Sequence, residues 1–251
     1  MENDETLLKK RFLELAQRAD RSGRFSYTPF LGLAEQDVLM RLRSSLPLPF
    51  ELFGGAAGCE RVVCRFGTKE LFGYDEAFPI ALLCAKPVSM RFAGALSHRD
   101  ILGALMALGI ERSGTGDIVL IDNTAHIFCL ERIAPYIEEN FVKAANTVLS
   151  TSRETELPEG EFFRLSRETV NVASSRLDAV AAAFTRLSRG DMQALIERGL
   201  VFIDGRRAEN GSRELKEGAV VSVRGYGRFI FRGEDHRTRK GRSAAVIDRY
   251  V

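Results

Sequence analysis

The chain has 251 residues, 45% hydrophobic and 28% charged, which suits one large or two to three small soluble domains with real cores. No run approaches the ~18–20 apolar residues that a membrane helix needs, and Met1-Glu2-Asn3-Asp4-Glu5 is acidic and polar, the opposite of a secretory or transit signal. A cytoplasmic protein with no membrane partner is expected. The net charge of +2 hides a division: from residue 161 onward there are 18 Lys+Arg against 12 Asp+Glu, leaving 18 against 22 before it. Sixteen of those 18 C-terminal cations are arginines, whose forked donors match phosphate oxygens and guanine edges and stack on bases.

Cysteine and histidine point away from metal and disulfide chemistry. Cys59, Cys64, Cys84 and Cys129 form no C-x-x-C pair, and His98, His126 and His236 stand at no ligand-like spacing, so neither a zinc site nor disulfides are predicted. Cys84 and Cys129 lie inside apolar runs and read as small buried hydrophobes.

In chain order, the stripe Leu8, Phe12, Leu15, Ala19 predicts an amphipathic helix over 5–20. A second helix is predicted over 34–43, closed by Pro47 and Pro49, and a short strand over 61–66. Ile80 to Ala85 is a continuous apolar run that reads as a buried strand. Ser97 and Asp100 fit a capping box for a helix that Gly109 stops. Asp117 to Ile121 and Ala125 to Leu130 read as strands joined by a turn at Asp122-Asn123-Thr124. Pro135 opens a helix predicted to run to about Leu149 with Ile137, Phe141 and Val148 inward. The polar stretch 150–160 reads as a loop, and Glu161 to Leu165 as the last strand. Strand–helix–strand–strand–helix–strand is the split βαβ order, shared by RRM-type RNA binders and many unrelated proteins.

Beyond it, 176–184 predicts a short helix with Leu177, Val180 and Phe184 inward. Ser188 is a natural cap for a helix over 189–198 that Gly199 ends. Val201 to Ile203 and Val220 to Val223 read as strands, with a turn at Asp204-Gly205. The outward helix pair then carries Arg176, Arg186 and Arg189, with Arg198 and Arg206 at its rim. The basic segment from Gly233 to Arg242 reads as a mobile tail.

The elements R-L-D at 176–178, S-R at 188–189, L-I-x-x-G at 195–199 and V-x-x-D-G at 201–205 resemble the S4 RNA-binding domain. That family usually carries Asn-Gly where Asp204-Gly205 stands. The likeness implies that Arg176 and Arg189 face RNA. His98-Arg99-Asp100-Ile101-Leu102-Gly103-Ala104-Leu105, Leu108-Gly109-Ile110-Glu111-Arg112, Gly116-Asp117-Ile118 and Arg224-Gly225-Tyr226-Gly227-Arg228-Phe229 are similar to the YlmH family of S4 proteins. The resemblance implies an α+β chain: a small N-terminal α/β unit at 1–74, an RRM-like (ferredoxin-like) domain at 75–166, an S4 domain at 172–231 and a basic tail at 232–251. It further implies a ribosome-associated protein of translation quality control that binds large-subunit ribosomal RNA and peptidyl-tRNA. With Arg176 and Arg189 carried over from the family, the expected RNA-binding set is Arg176, Arg186, Ser188, Arg189, Arg198, Arg206, Arg224 and Arg228.

Catalysis is not expected. His98-Arg99-Asp100 looks like a kinase catalytic loop, but Leu105 stands where the metal-binding Asn would, and no Gly-rich ATP loop is present. Arg176-Leu177-Asp178 resembles the pseudouridine synthase motif, yet Ala179-Val180 follows and no catalytic domain does; Asp178 reads as a partner for a neighbouring cation or helix end. Gly54, Gly55 and Gly58 lack the Gly-Lys-Ser/Thr of a P-loop, and Gly225-x-Gly227 opens no helix. No cofactor and no small-molecule substrate are expected. Phe162 and Phe163 point to opposite faces of any strand they share, so one could stack a base. The alternatives are an RNA-modifying enzyme anchored by its S4 domain and an off-ribosome RNA chaperone.

Overall fold

A computed structural model describes residues 2–91, 93–157, 162–237 and 243–250, in two compact units, Met1–Phe162 and Phe163–Val251. The fold class is α+β, as the sequence predicts. No helix of the described residues is long and apolar enough to cross a membrane.

The first unit begins with helix α1 (Glu2–Ser22), strand β1 (Ser26–Leu31), helix α2 (Leu33–Arg41) and strands β2 (Phe50–Phe53) and β3 (Val62–Phe66). The strands pair antiparallel in the order β1-β3-β2. Phe12, Ala16 and Ala19 on α1 bury their apolar stripe against Leu31, Leu39, Cys64 and Phe66, the association that makes an amphipathic helix stable. Arg65 is buried beneath this layer. It pairs with Glu51 and Asp75, and its guanidinium lies 4.5 Å from the Phe25 ring and 4.9 Å from the Phe78 ring.

After the one-turn helix α3 (Lys69–Phe72) come β4 (Ile80–Pro87), α4 (His98–Ala107), β5 (Thr115–Ile121), β6 (Thr124–Leu130), α5 (Ala134–Asn140), β7 (Lys143–Ala144) and β8 (Thr147–Glu154). The sheet order is β5-β6-β4-β8-β7, with every pair antiparallel. Apart from the short β7 it is the ferredoxin-like arrangement expected. The Ser97–Asp100 capping box forms: the Ser97 hydroxyl accepts from the Asp100 amide, and the Asp100 carboxylate accepts from the Ser97 amide. Asp122 and Asn123 both take positive φ, 47° and 62°, the two-residue hairpin geometry that favours Asn and Asp. Leu83, Ile101, Leu105, Ile127 and Ile137 meet in the core between the helices and one sheet face.

Two predictions fail here. The helix from Pro135 ends at Asn140 rather than Leu149, and the last strand of the sheet is Thr147–Glu154 rather than 161–165. Val148 and Thr151 are β-branched and Leu149 is buried while Val148 is exposed, the period-two alternation of a strand. Ala145 at φ 48° makes the tight turn from β7 that breaks the helical reading. Glu161 lies outside the described residues.

Arg61 ties β3 to the second sheet. Its guanidinium donates to the carbonyls of Phe30, Arg112 and Thr115, and the Asp117 carboxylate accepts the amides of Glu60 and Arg61.

The second unit contains β9 (Leu165–Val172), α6 (Leu177–Thr185), α7 (Arg189–Glu197), β10 (Val201–Ile203), β11 (Arg206–Arg207), β12 (Val220–Val223), β13 (Gly227–Arg237) and β14 (Ser243–Tyr250). Its sheet runs β11-β10-β12-β13-β14-β9. Leu177, Val180, Phe184, Met192 and Ile196 pack the two helices onto Val201, Val221, Phe229 and Ile247. The mobile tail predicted over Gly233 to Arg242 is corrected in part, because β13 runs on to Arg237; within the basic tail expected at 232–251, Ser243–Tyr250 is a strand, paired residue for residue with β9 and, with shifts in register, with β13. Ala245 and Ile247 enter the core while Asp248 on the other face holds Arg167 and Arg232. Thr238 to Arg242, which carry much of the predicted tail's charge, lie outside the described residues.

Candidate nucleic-acid interface

The site is built on the start of α6 and the start of α7. Arg176 precedes α6 in extended conformation, and Leu177, buried next to it, anchors the helix in the core. Ser188 caps α7: its hydroxyl oxygen accepts from the Asp191 amide at 3.1 Å and its O–H donates to the Asp191 carboxylate at 2.7 Å. Arg186 takes the left-handed conformation at φ 60°, and its amide donates to the Ala182 carbonyl, closing α6. That turn folds α7 back so that Arg189 returns to the first turn of α6.

One carboxylate joins the two arginines. Arg176 grips Asp178 with both fork nitrogens, Nε at 3.2 Å and NH2 at 2.9 Å, and Arg189 reaches the same carboxylate at 2.5 Å. The Asp178 side chain is 11% exposed, those of Arg176 and Arg189 39% and 52%. Burial pushes the Asp178 carboxyl up, but hydrogen bonds from Arg189 and Arg176 outweigh it and hold the group below its ordinary value. Two cations around one anion leave a net positive pair of guanidinium groups. Their orientation is fixed and their outer edges meet solvent, which suits them to a phosphate or a base edge. Asp178 is thus the partner of neighbouring cations that the sequence suggested.

The other predicted residues occupy three further places. Arg198 caps the far end of α7 and Arg206 follows the Asp204-Gly205 turn; both are exposed, and like Arg186 they make no ion pair with the described residues. Asp204 takes φ 50° and its carboxylate accepts the Val220 amide at 2.9 Å, a turn-bracing role that accounts for Asp at this position. Arg224 sits in the β12–β13 turn, 5.8 Å from the Phe202 ring. Arg228, half-buried, lies 3.6 Å from the Tyr250 ring and 5.6 Å from that of Phe163. The fold therefore brings Arg176, Arg186, Ser188 and Arg189 to one helix junction, and sets Arg198 and Arg206 on other turns. Arg224 and Arg228 stack on aromatic rings.

Sequence reasoning missed Tyr250 and Arg249. Arg249 binds Glu168 through both fork nitrogens and lies 4.2 Å from the Phe184 ring beneath α6. The alternation Ala245, Ile247, Arg249 on one face of 243–250 was the available signal.

Comparison with known proteins agrees with the sequence motifs. Residues 75–156 match the family model described as the putative RNA-binding domain in YlmH. The chain is 25% identical over 253 aligned residues to the ribosome-associated protein quality control protein P2 of Bacillus subtilis, covering 98% of this chain and 95% of that one. Among solved structures it is similar to the cell division protein ylmH from Streptococcus pneumoniae, at a TM-score of 0.49 and 20% identity, over 60% of this chain and 91% of that one. The match to the model of the YlmH RNA-binding domain thus covers residues 75–156, and the likeness to the Bacillus subtilis protein covers nearly the whole chain.

Proposed function

We propose that this protein binds large-subunit ribosomal RNA and peptidyl-tRNA on stalled ribosomes, in translation quality control, and that binding itself is its activity. The observation that carries the reading is the clamp of Arg176 and Arg189 on Asp178. It presents two oriented guanidinium groups on a unit whose cations are almost all arginine, and the Bacillus subtilis relative is named as a ribosome-associated quality control protein. In this reading the α6–α7 junction, with Arg176, Arg186, Ser188 and Arg189, forms the centre of the RNA face. Arg198, Arg206, Arg224 and Arg228 extend it along the backbone, where phosphate contacts position without specifying sequence. The domains act as an N-terminal unit at 1–74, an RRM-like domain from 75 and an S4 domain from 172.

Co-sedimentation with large subunits tests this. The wild-type chain pellets with them and loses affinity steeply as salt rises, because each neutralised phosphate releases counterions. Arg176→Ala with Arg189→Ala stays in the supernatant while remaining folded. A flat salt response, or unchanged pelleting of the double variant, refutes the assignment. A modified nucleotide that disappears when the protein is absent would put an RNA-modifying enzyme in its place.

A further inference from the structure

Three side chains far apart in sequence meet on the open face of the ferredoxin-like sheet. Cys84 of β4 stands opposite His126 of β6, and Glu154 of β8 lies one row along, opposite Leu82 of β4. Side chains of residues 82 and 84 share a face, so all three point to the side away from α4 and α5. Cys84 is 7% exposed and His126 5%, while the Glu154 side chain is 29% exposed. Nδ1 of His126 is 3.0 Å from the Glu154 carboxylate, and the thiol, imidazole and carboxylate donor atoms all lie within 4.8 Å of one another.

A thiol and an imidazole gathered on one carboxylate can be a closed hydrogen-bond cluster, a nucleophile with its base, or a metal site. The nucleophile reading asks for a thiolate. It also asks for access, and Cys84 is 7% exposed, unlike the partly exposed cysteines that react. A closed cluster explains the contacts but not the donor set. Sulfur, nitrogen and oxygen converge from three hydrogen-bonded strands, where backbone register fixes their spacing. Tetrahedral zinc bonds of the usual lengths place neighbouring donors about 3.3–3.6 Å apart, which small side-chain rotations reach from here. The open side faces a depression of about 660 Å³ whose walls include Lys86, Asp122 and Glu156, with room for water as a fourth ligand. The Phe162 ring packs edge-on against the imidazole, centroids 5.7 Å apart, and covers it from another direction.

We propose that Cys84, His126 and Glu154 bind a zinc-class divalent transition-metal ion, with a fourth position open to solvent. Mixed thiolate, imidazole and carboxylate donors favour such ions over magnesium or calcium. The expectation of no zinc site rested on spacing along the chain; here strand register, not spacing, assembles the ligands. The proposal does not rest on the arginine face of the other unit.

The test is metal titration of the stripped full-length chain with zinc and with cobalt(II). Wild type takes up one ion per chain, and cobalt gives a near-ultraviolet thiolate charge-transfer band with visible bands of tetrahedral intensity. Cys84→Ser abolishes the charge-transfer band and weakens binding by upwards of about 100-fold, more than loss of a supporting hydrogen bond does. Glu154→Gln keeps the band but weakens binding. Cys59→Ser, at a partly exposed cysteine outside the cluster, changes neither. No stoichiometric uptake by folded wild type, or a band that survives Cys84→Ser or vanishes in Cys59→Ser, overturns the proposal. If Cys84→Ser does not fold, the wild-type spectrum and the Glu154→Gln affinity decide it on the same terms.

Discussion

Two pairs of arginines, one in each compact unit, are used in opposite ways. In the first, Arg61 and Arg65 turn inward: one collects three carbonyls from separate segments, and the other is buried between two carboxylates and two aromatic rings. In the second, Arg176 and Arg189 share one nearly buried carboxylate and keep much of their surface in solvent, while Arg186, Arg198 and Arg206 are exposed. A guanidinium whose five donors are used internally is a structural tie. One held by part of its fork has donors left for an external anion. Counting arginines by sequence does not separate the two roles; the partners do.

The comparison can be broken most easily at Arg65. Arg65→Ala leaves Glu51 and Asp75 without their cation and opens a gap between Phe25 and Phe78, so stability should fall by about 3 kcal/mol in urea unfolding. RNA affinity of the molecules that remain folded should not change. An equal loss of RNA affinity would mean that inward and outward arginines are not separate classes.

Next in size is the Arg176→Ala, Arg189→Ala pair. Each charge-assisted contact is worth about 1–2 kcal/mol, so RNA affinity should drop roughly 30-fold or more by filter binding or fluorescence anisotropy. Loss of the native circular dichroism signal would instead make both residues structural.

Asp178→Asn sharpens the contrast. It removes the charge that holds both forks, and stability should fall by about 1–2 kcal/mol, limited by the exposure of the partners. With the counter-charge gone, the salt dependence of RNA binding should steepen, which a series of affinities at rising salt reads directly; a shallower slope would show that orientation outweighs charge. The sign of the pH effect follows from the depressed carboxyl of Asp178. Its stabilising contribution is present above the unfolded aspartate pKa of about 3.9 and lost as pH falls through the lower folded value. The stability gap between wild type and Asp178→Asn should therefore be full near neutrality and close in acid.

The smallest effect is expected at Arg206. An exposed cation on a turn makes at most one phosphate contact, so Arg206→Ala should weaken RNA binding by about 2- to 5-fold at low salt, with the difference shrinking as salt screens it.

Local signals in the sequence were faithful where a side chain acts on its own neighbours. Ser97 with Asp100, Ser188, the Asp122-Asn123 turn and the apolar run from Ile80 each mark their element because cap, turn and burial are decided within a few residues. Strands that depend on distant partners were harder to read. β8 follows a Pro-opened helix whose apolar periodicity runs on through Phe141 and Val148, so the helical pattern hides the turn at Ala145. β9 and β14 are polar on one face, and their pairing is visible only once both exist. The candidate interface was legible in its residue types and in Asp178. The stacking of Arg228 on Tyr250 was not, because Tyr250 lies on the strand that was read as tail.

The place of β14 between β13 and β9 also sets an order of events. Arg167 meets Asp248 across 81 positions of chain, and β9 has no other strand neighbour among the described residues. As the polypeptide emerges, β9 waits with its backbone donors and acceptors facing water until β14 has been made. The helices, β10 to β13 and the β13–β14 pair are close in sequence; only the pairing of β9 with β14 spans the unit. A pairing this distant raises the entropic cost of closure and slows folding, so β9 and β14 should pair in a separate, late step. Before that step, the unpaired backbone edges of β9 and β14 stand open to any other edge strand nearby.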